Sequence, residues 1–225
     1  MAKCHEVEIF SDLTESECEE LESKIHWVEY AKGSVLFSRG DESTDVYFIL
    51  RGRCRATSYS FKGKEVSFED LLPGDMFGEL SAIDRGPRTT GIVALADSEV
   101  GRVSAVDFWQ ILVTHPAVME KAVQRMASLT RSLVTRVYDN AAMTVPNRVR
   151  AMLVRLGRER LVADNAALID KPPTHEEMAN FITTHREAVT KELNQLGKDG
   201  YIEKEGRKIR IPDLAALEQL IEEQL

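Results

Sequence analysis

The sequence predicts an α+β fold in three consecutive parts: an N-terminal β-roll, a long dimerisation helix and a C-terminal winged helix-turn-helix. Three observations predict it. Short apolar runs separated by glycines occupy the first half, a heptad-like apolar stripe follows, and two helix patterns and a hairpin pattern come last. We place the three parts at residues 1–115, 116–140 and 141–225.

The roll is predicted from short strands that alternate with glycine turns. Up to about residue 25 the chain is expected to be helical, because the segment 14–17 resembles a capping box. From Gly33 onwards short apolar runs alternate with glycines, which is typical of an all-β roll or barrel. The predicted strands are residues 35–37, 46–50, 66–68, 92–95 and 100–103.

A long helix is predicted after Pro116. Its apolar residues recur at alternating steps of three and four, with Thr130 in the seam. Such a stripe can pack on its own roll or on a second copy of the chain. Because it outlasts what a small roll could cover, we predict a homodimer. The stripe residues are Met119, Val123, Met126, Leu133 and Val137.

The C-terminal third predicts two short helices around a tight turn, followed by a wing. We expect a hinge at 140–144, a helix at 145–161 and a loop at 164–173. Capping boxes at 174–177 and 184–187 would open the two helices of a helix-turn-helix. Their expected inner faces are Met178, Ala179 and Phe181 in the first, and Ala188, Val189, Leu193 and Leu196 in the second. Residues 200–211 would form a β-hairpin with a basic tip.

Charge is unevenly distributed along the 225 residues. The net charge is −8; residues 1–140 carry 16 Lys+Arg against 23 Asp+Glu, a difference of −7, and residues 141–225 carry 13 against 14, a difference of −1. DNA binding by the second part would therefore need a local basic surface.

No apolar run approaches the roughly 18 residues of a membrane span, and the first ten residues lack signal-peptide features. The expected location is the cytoplasm.

Metal and redox chemistry are not expected. Cys4, Cys18 and Cys54 form no CxxC pair, so we predict three reduced thiols and no zinc site. An iron–sulfur sensor would need four ligands, which Cys4 and Cys18 do not supply. The five histidines are expected to lie outside the roll, which argues against a haem sensor.

A phosphate-binding site is predicted at residues 73–90. Gly78 allows close approach of backbone N–H groups to a cyclic phosphodiester. Glu79 can accept from a ribose 2′-hydroxyl, Arg88 can neutralise the phosphate, and Thr89 adds a hydroxyl donor. The alternative is an ordinary turn in which Arg88 pairs with Glu79 or Asp84.

Segments 78–81 and 87–90 resemble the phosphate-binding cassette of cyclic-nucleotide-binding domains, and segments 33–40 and 46–52 resemble the first strands of that domain. With the C-terminal pattern, nearly the whole chain resembles the catabolite-activator/fumarate-nitrate-regulator (CRP/FNR) family. The resemblance implies an allosteric cyclic nucleotide and no prosthetic group. It assigns cyclic-nucleotide binding to Gly78, Glu79, Leu80, Ser81, Arg88, Thr89 and Thr90.

The resemblance leaves the nucleotide base open. Members that bind cyclic AMP contact the base through a Thr-Ser pair on the long helix, and the matching positions here are Leu133 and Val134, with Thr130 nearby. A threonine after the cassette arginine, here Thr89, often accompanies cyclic GMP binding. We rank cyclic AMP slightly ahead of cyclic GMP because it is commoner in the family.

The second helix of the helix-turn-helix is expected to enter the major groove of double-stranded DNA. Arg186 suits guanine and Glu187 can accept from cytosine, while Lys191 replaces the arginine that the family often carries. Thr183 stands where many such turns carry glycine. The expected phosphate contacts are Thr184, His185, Arg207 and Lys208.

The expected function is a cyclic-nucleotide-responsive transcription regulator that binds a near-palindromic operator as a homodimer and has RNA polymerase as a further partner. It is not expected to be an enzyme or to bind a membrane. One alternative is a regulator of the same fold that is ligand-independent or answers another effector. A cyclic-nucleotide phosphodiesterase would need a metal cluster or an in-line base, and no HxxxD-type or paired-histidine spacing occurs.

Overall fold

A computed structural model describes residues 3–61 and 63–223. The chain divides into two compact units, Met1–Thr130 and Arg131–Leu225. The division falls inside the long helix, which therefore contributes residues to both units instead of forming a separate part.

The first unit is a β-roll of two antiparallel four-stranded sheets, as the sequence predicts. The sheet orders are β1-β8-β3-β6 and β2-β7-β4-β5. The strands are β1 (His26–Tyr30), β2 (Val35–Phe37), β3 (Val46–Arg51), β4 (Cys54–Tyr59), β5 (Glu65–Leu71), β6 (Met76–Phe77), β7 (Gly91–Ala94) and β8 (Ser98–Val103). The helical elements are two 3-10 turns (Lys3–Glu6 and Glu8–Phe10), α1 (Glu15–Glu22), α2 (Glu79–Asp84) and α3 (Ala105–Thr114).

Three strands of the roll, β1, β4 and β6, are not among those predicted. β1 begins at His26, so the prediction that all histidines lie outside the roll is wrong. The strand lies before Gly33, where the glycine-separated pattern that predicts the roll begins, and that pattern therefore does not reveal it. His26 is exposed on the strand.

The structure joins Cys4 and Cys18 in a disulfide, so the prediction of three reduced thiols is wrong for this pair. Cys4 lies in the first 3-10 turn and Cys18 in α1, and both are buried in the apolar cluster beneath these segments. Their Cα atoms are 5.8 Å apart, a separation that a disulfide can bridge. The packing of the turn on α1 creates this proximity. Cys54 is a free, buried thiol.

The long helix α4 spans Pro116–Ala142, 27 residues, and ends two residues beyond the predicted position. Val118 and Ala122 are buried in the core of the first unit. Of the predicted apolar stripe, Val123, Leu133 and Val137 are exposed, and so are the neighbouring Val134 and Tyr138. Only Met143 and Thr144 separate α4 from the next helix, so the predicted hinge is shorter than expected.

The second unit is a winged helix-turn-helix, in agreement with the sequence. Its helices are α5 (Val145–Arg158), α6 (His175–Phe181), α7 (Arg186–Lys198) and α8 (Leu214–Glu222), and its strands are β9 (Leu161–Ala163), β10 (Ala166–Ile169), β11 (Glu203–Glu205) and β12 (Lys208–Ile211). The sheet order is β11-β12-β10-β9. The predicted loop at 164–173 is therefore partly wrong, because β10 pairs with the wing strand β12.

Two of the three predicted capping boxes are confirmed. Thr14 caps α1 with Glu17, and Thr174 caps α6 with Glu177, each through reciprocal hydrogen bonds. The box predicted at Thr184 is wrong. α7 begins at Arg186 with His185 as its N-cap, and the N–H of Thr184 donates instead to the carbonyl of Ala179.

Among the residues that the structure describes, no helix has both the length and the apolar character that a bilayer span requires.

Candidate functional site

The cassette begins with a turn that only glycine fits. β6 ends at Phe77, and Gly78 has φ +83° as the N-cap of α2. A Cβ at this position would lie 2.7 Å from Nη1 of Arg88 and 3.0 Å from the carbonyl oxygen of Asp45. Both the left-handed backbone and the contact with Asp45 therefore require glycine here.

Arg88 is buried and fixed by three hydrogen bonds. Its Nε donates to Ser43 Oγ at 3.0 Å, Nη1 to the carbonyl of Gly78 at 2.7 Å and Nη2 to the carbonyl of Asp45 at 2.7 Å. A guanidinium has five N–H donors, so these bonds leave about two for a ligand. The side chain is only 2% exposed.

The same guanidinium also makes cation–π contacts with two aromatic rings. Its carbon lies 4.1 Å from the centroid of the Phe37 ring and 5.6 Å from that of Tyr47. Burial lowers the pKa of Arg88, although the ionisable groups of Tyr47, Asp45 and Glu79 act to raise it. An arginine stays protonated in proteins, so the site carries a fixed positive charge.

Glu79 supplies a buried acceptor beside Arg88. It is 6% exposed, and within residues 3–61 and 63–223 its carboxylate has no hydrogen bond or ion pair to another residue. Burial raises the pKa of Glu79, while its own backbone amide and the charges of Arg125 and Arg88 act to lower it. A buried carboxylate whose one recorded donor in the described part of the chain is its own backbone amide is costly, and a ligand hydroxyl would supply a further donor.

The alternative pairing of Arg88 with Glu79 or Asp84 is absent from the described part of the chain. Arg88 binds Ser43 and two backbone carbonyls instead. The Asp84 carboxylate accepts from the backbone N–H of Gly86 at 2.8 Å.

Arg125 and Glu69 join this site, although the sequence did not single them out. Arg125 Nη2 donates to Glu69 Oε1 at 2.7 Å, and Nε of Arg125 is buried with no hydrogen-bond partner among the described residues. Burial alone would lower the pKa of Arg125, but the charges of Glu69, Asp75 and Glu79 raise it. The available signal was helical spacing, because Arg125 follows the buried Val118 and Ala122 on one face of α4.

The remaining cassette residues differ in exposure. Ser81 is buried inside α2, whereas Leu80 and Thr89 are exposed and Thr90 is half-buried. The hydroxyl of Thr130 donates to the carbonyl of Met126 within α4. Leu133 and Val134 are exposed on the part of α4 that belongs to the second unit.

The recognition helix α7 presents the predicted base-contacting residues to solvent. Arg186, Glu187 and Lys191 are exposed, whereas Val189 and Leu193 are buried in the core of the second unit. His185, the N-cap, is also exposed. The first turns of α7 are therefore free to contact another molecule.

The predicted phosphate contacts differ in exposure and in their partners. Thr184 is only 7% exposed, which makes it the least accessible of the predicted phosphate contacts, and its role stays a prediction. Lys208 forms an ion pair with Asp170 at 2.6 Å, and this hydrogen bond and charge raise the pKa of Lys208. Arg207 is exposed at the wing tip.

Buried polar contacts hold α7 in place. Arg150 of α5 donates Nε to Glu192 of α7 at 2.7 Å, and the two side chains are almost fully buried. Nδ1 of His175 in α6 lies 2.7 Å from the hydroxyl of Thr190 in α7. Burial lowers the pKa of His175, and the nearby charges of Lys204 and Arg186 lower it further. Neither pair is predicted from the sequence.

No group of three or more His, Cys, Asp or Glu side chains in the described ranges is arranged to hold a metal ion.

Comparison with known protein families gives one match within each compact unit. Residues 27–115 match the cyclic nucleotide-binding domain family, and residues 147–220 match the Crp-like helix-turn-helix domain family. The first match contains Gly78, Glu79 and Arg88, and the second contains all of α7.

Full-length relatives match over most of the chain. It is 29% identical over 210 residues to the CRP-like cAMP-activated global transcriptional regulator of Mycobacterium tuberculosis, covering 91% of this chain and 92% of that protein. It is 26% identical to the cyclic AMP receptor protein of Thermus thermophilus, covering 85% and 86%. The structure of a CooA mutant from Carboxydothermus hydrogenoformans superposes with a TM-score of 0.80 at 22% identity, covering 88% of each chain.

Proposed function

The chain belongs to the CRP/FNR family of transcription regulators, and from this premise we propose that a cyclic nucleotide controls its binding to DNA. The ligand binds in the β-roll, and a homodimer binds a near-palindromic operator. The observation that carries the proposal is the buried cluster of Gly78, Glu79 and Arg88, where a fixed cation lies near a buried carboxylate that receives no hydrogen bond from any other described residue.

The cluster matches the chemistry of a cyclic nucleotide. The free N–H groups of Arg88 neutralise the cyclic phosphate, and Glu79 accepts from the ribose 2′-hydroxyl. Arg125 adds positive charge next to Glu79, and its buried Nε is a further donor. Leu80, Ser81, Thr89 and Thr90 complete the cassette, although buried Ser81 is the least accessible of them.

We propose cyclic AMP as the ligand ahead of cyclic GMP. The Mycobacterium tuberculosis and Thermus thermophilus relatives are both named for cyclic AMP. Thr130, Leu133 and Val134 are the candidate base contacts, and two of these three are apolar, so the base is expected to be held more by packing than by hydrogen bonds. Exposed Thr89 keeps cyclic GMP as the alternative.

DNA recognition is proposed for α7 and the wing. Arg186, Glu187 and Lys191 would meet base edges. The proposed phosphate contacts are Thr184, His185, Arg207 and Lys208. In a twofold dimer formed through α4, two copies of α7 would stand about 34 Å apart, one turn of DNA. Such a regulator acts in the cytoplasm, with RNA polymerase as a further partner.

The proposed mechanism is a population shift. The nucleotide must bind more tightly to the dimer arrangement that fits DNA than to the arrangement that does not. A ligand with equal affinity for both arrangements would leave DNA binding unchanged.

The first test is calorimetric titration of cyclic AMP and cyclic GMP into the wild type and into Arg88→Leu. We expect wild-type binding with a Kd on the order of micromolar. Loss of the charged hydrogen bonds to phosphate, about 1.5–3 kcal/mol, should weaken the Kd of Arg88→Leu by roughly 10- to 100-fold.

Arg39→Leu is the matched control, because Arg39 is an exposed arginine of the same unit. It should bind like the wild type. Thermal unfolding of each variant verifies that Arg88→Leu remains folded without its three protein hydrogen bonds. Equal binding by Arg88→Leu and the wild type would contradict the assigned site, and no wild-type binding of either nucleotide would contradict the assigned ligand.

A further inference from the structure

The turn between α6 and α7 is held at two successive carbonyl groups by arginines from other helices. Nη2 of Arg136, in α4, donates to the carbonyl of Phe181 at 2.9 Å. Nε of Arg148, in α5, donates to the carbonyl of Ile182 at 3.1 Å. The last carbonyls of a helix lack partners within the helix, and cations are favoured beside them. The two arginines therefore cap α6 and fix the turn that leads into α7.

The turn is strained, so it depends on such external contacts. Thr183 has φ +57°, in the left-handed region that β-branched residues avoid. Strained backbone persists only where its surroundings determine the conformation. The carbonyls held by Arg136 and Arg148 belong to the two residues immediately before Thr183, and α7 begins three residues after it.

Arg136 contacts both the backbone and the side chain of Phe181. Besides the backbone bond, its guanidinium carbon lies 6.0 Å from the centroid of the Phe181 ring. The ring packs against the core of the second unit. Three residues further along α4, buried Asp139 accepts from Nη1 of Arg155 in α5 at 2.7 Å. The last turns of α4 are thus hydrogen-bonded both to the helix-turn-helix and to α5.

The two arginines differ in the helix that carries them. α4 is continuous from Pro116 to Ala142, and its first turns supply Val118, Ala122 and Arg125 to the nucleotide-binding unit. Arg136 is on that same helix. Arg136 lies in the part of α4 that belongs to the second unit. Arg148 is on α5, which lies wholly within that unit, and its Nη1 also donates to the carbonyl of Met143 there.

We propose that Arg136 is the positioning residue through which α4 sets the orientation of the recognition helix. Resting on the proposed function, the inference assigns Arg136 to ligand-dependent positioning of α7 and Arg148 to ligand-independent support of the same turn. A shift or rotation of the end of α4 moves the carbonyl of Phe181, and α7 follows because the intervening turn is short and fixed. The nucleotide then changes DNA affinity through a contact that differs between the two dimer arrangements.

The test compares the full-length variants Arg136→Met and Arg148→Met with the wild type. Arg131→Met, an exposed arginine on the same helix, is the control for lost charge on α4. A DNA site selected by the wild type is titrated by fluorescence anisotropy without nucleotide and with saturating cyclic AMP or cyclic GMP. Nucleotide affinity is measured separately by calorimetry.

For the wild type and Arg131→Met we expect the nucleotide to raise DNA affinity roughly 10- to 100-fold, a usual size for allosteric coupling. In Arg136→Met this ratio should fall to within about threefold of unity, with nucleotide affinity changed by less than about threefold. Arg148→Met should weaken DNA binding equally in both states and keep the wild-type ratio. Arg136→Lys, which keeps the charge without the planar fork, should give an intermediate ratio.

A wild-type ratio in Arg136→Met would overturn the inference. Equal weakening of DNA binding in both states by Arg136→Met would also overturn it, because Arg136 would then be support of the same kind as Arg148. If the wild type binds a nucleotide but its DNA affinity does not respond, the proposed function fails, and the inference fails with it.

Discussion

Thr183 has a backbone conformation that β-branched residues rarely adopt. An L-residue in the left-handed region costs about 1–2 kcal/mol, and Thr183 is β-branched with φ +57°. Thr183→Gly removes that cost but adds backbone entropy to the unfolded chain. We expect a net rise of about 1 kcal/mol in the free energy of unfolding of the second unit, measured by urea denaturation.

Thr135→Gly is the matched control for this substitution. Thr135 lies within α4, where glycine is a poorer helix former than threonine. This variant should be less stable than the wild type. A loss of stability in Thr183→Gly as well would show that the turn derives no strain from its threonine.

At the ligand site the sequence predicts the charged groups but not the residues that fix them. Gly78, Glu79 and Arg88 follow from a short cassette whose chemistry is local. Ser43 and Asp45 bind Arg88 from about 45 residues away, so their role depends on how the strands of the roll pair. At Thr184 a local pattern is misleading. The sequence predicts that Thr184 caps a helix, but the tight turn buries its side chain and α7 begins only at Arg186.

At the scale of elements, α4 carries the most specific prediction about assembly. Its outer face leaves Val134 63% exposed, together with Val123, Val137 and Tyr138. A charge on this exposed apolar face would be buried without a partner in a dimer. We therefore expect Val134→Glu to be a monomer at concentrations at which the wild type sediments as a dimer in analytical ultracentrifugation.

Val162→Glu controls for the effect of the charge alone. Val162 is 60% exposed but lies on β9, outside the stripe. It should leave the dimer intact. A Val134→Glu protein that remains dimeric would place the dimer interface somewhere other than α4.

Elements with strong periodicity are predictable from this sequence, and short ones are not. The stripe of α4 and the inner face of α7 each repeat over several turns, and both helices are found within a few residues of their expected bounds. β9 and β10 have three and four residues, too few for a period to be recognised. They form because β10 gains β12 as a neighbour, which is information from distant sequence.

For the whole molecule, most of the negative charge lies in the part that is not proposed to bind DNA. The net charge is −7 over residues 1–140 and −1 over residues 141–225. DNA is therefore expected to bind the second unit and to be repelled by the first. The sequence predicts the β-roll, the long helix and the winged helix-turn-helix. It did not show that the two compact units divide within α4, because that depends on which turns of the helix pack on each core.

Control of DNA binding by the nucleotide-binding site is tested most directly by measuring the DNA affinity of the protein with and without nucleotide. The measurement uses the full-length wild type and Arg88→Leu on a DNA site selected by the wild type. We expect saturating cyclic AMP or cyclic GMP to raise wild-type affinity at least about 10-fold and to leave that of Arg88→Leu unchanged. Equal wild-type affinity in the presence and absence of both nucleotides would contradict the account and identify a regulator whose DNA binding does not depend on them.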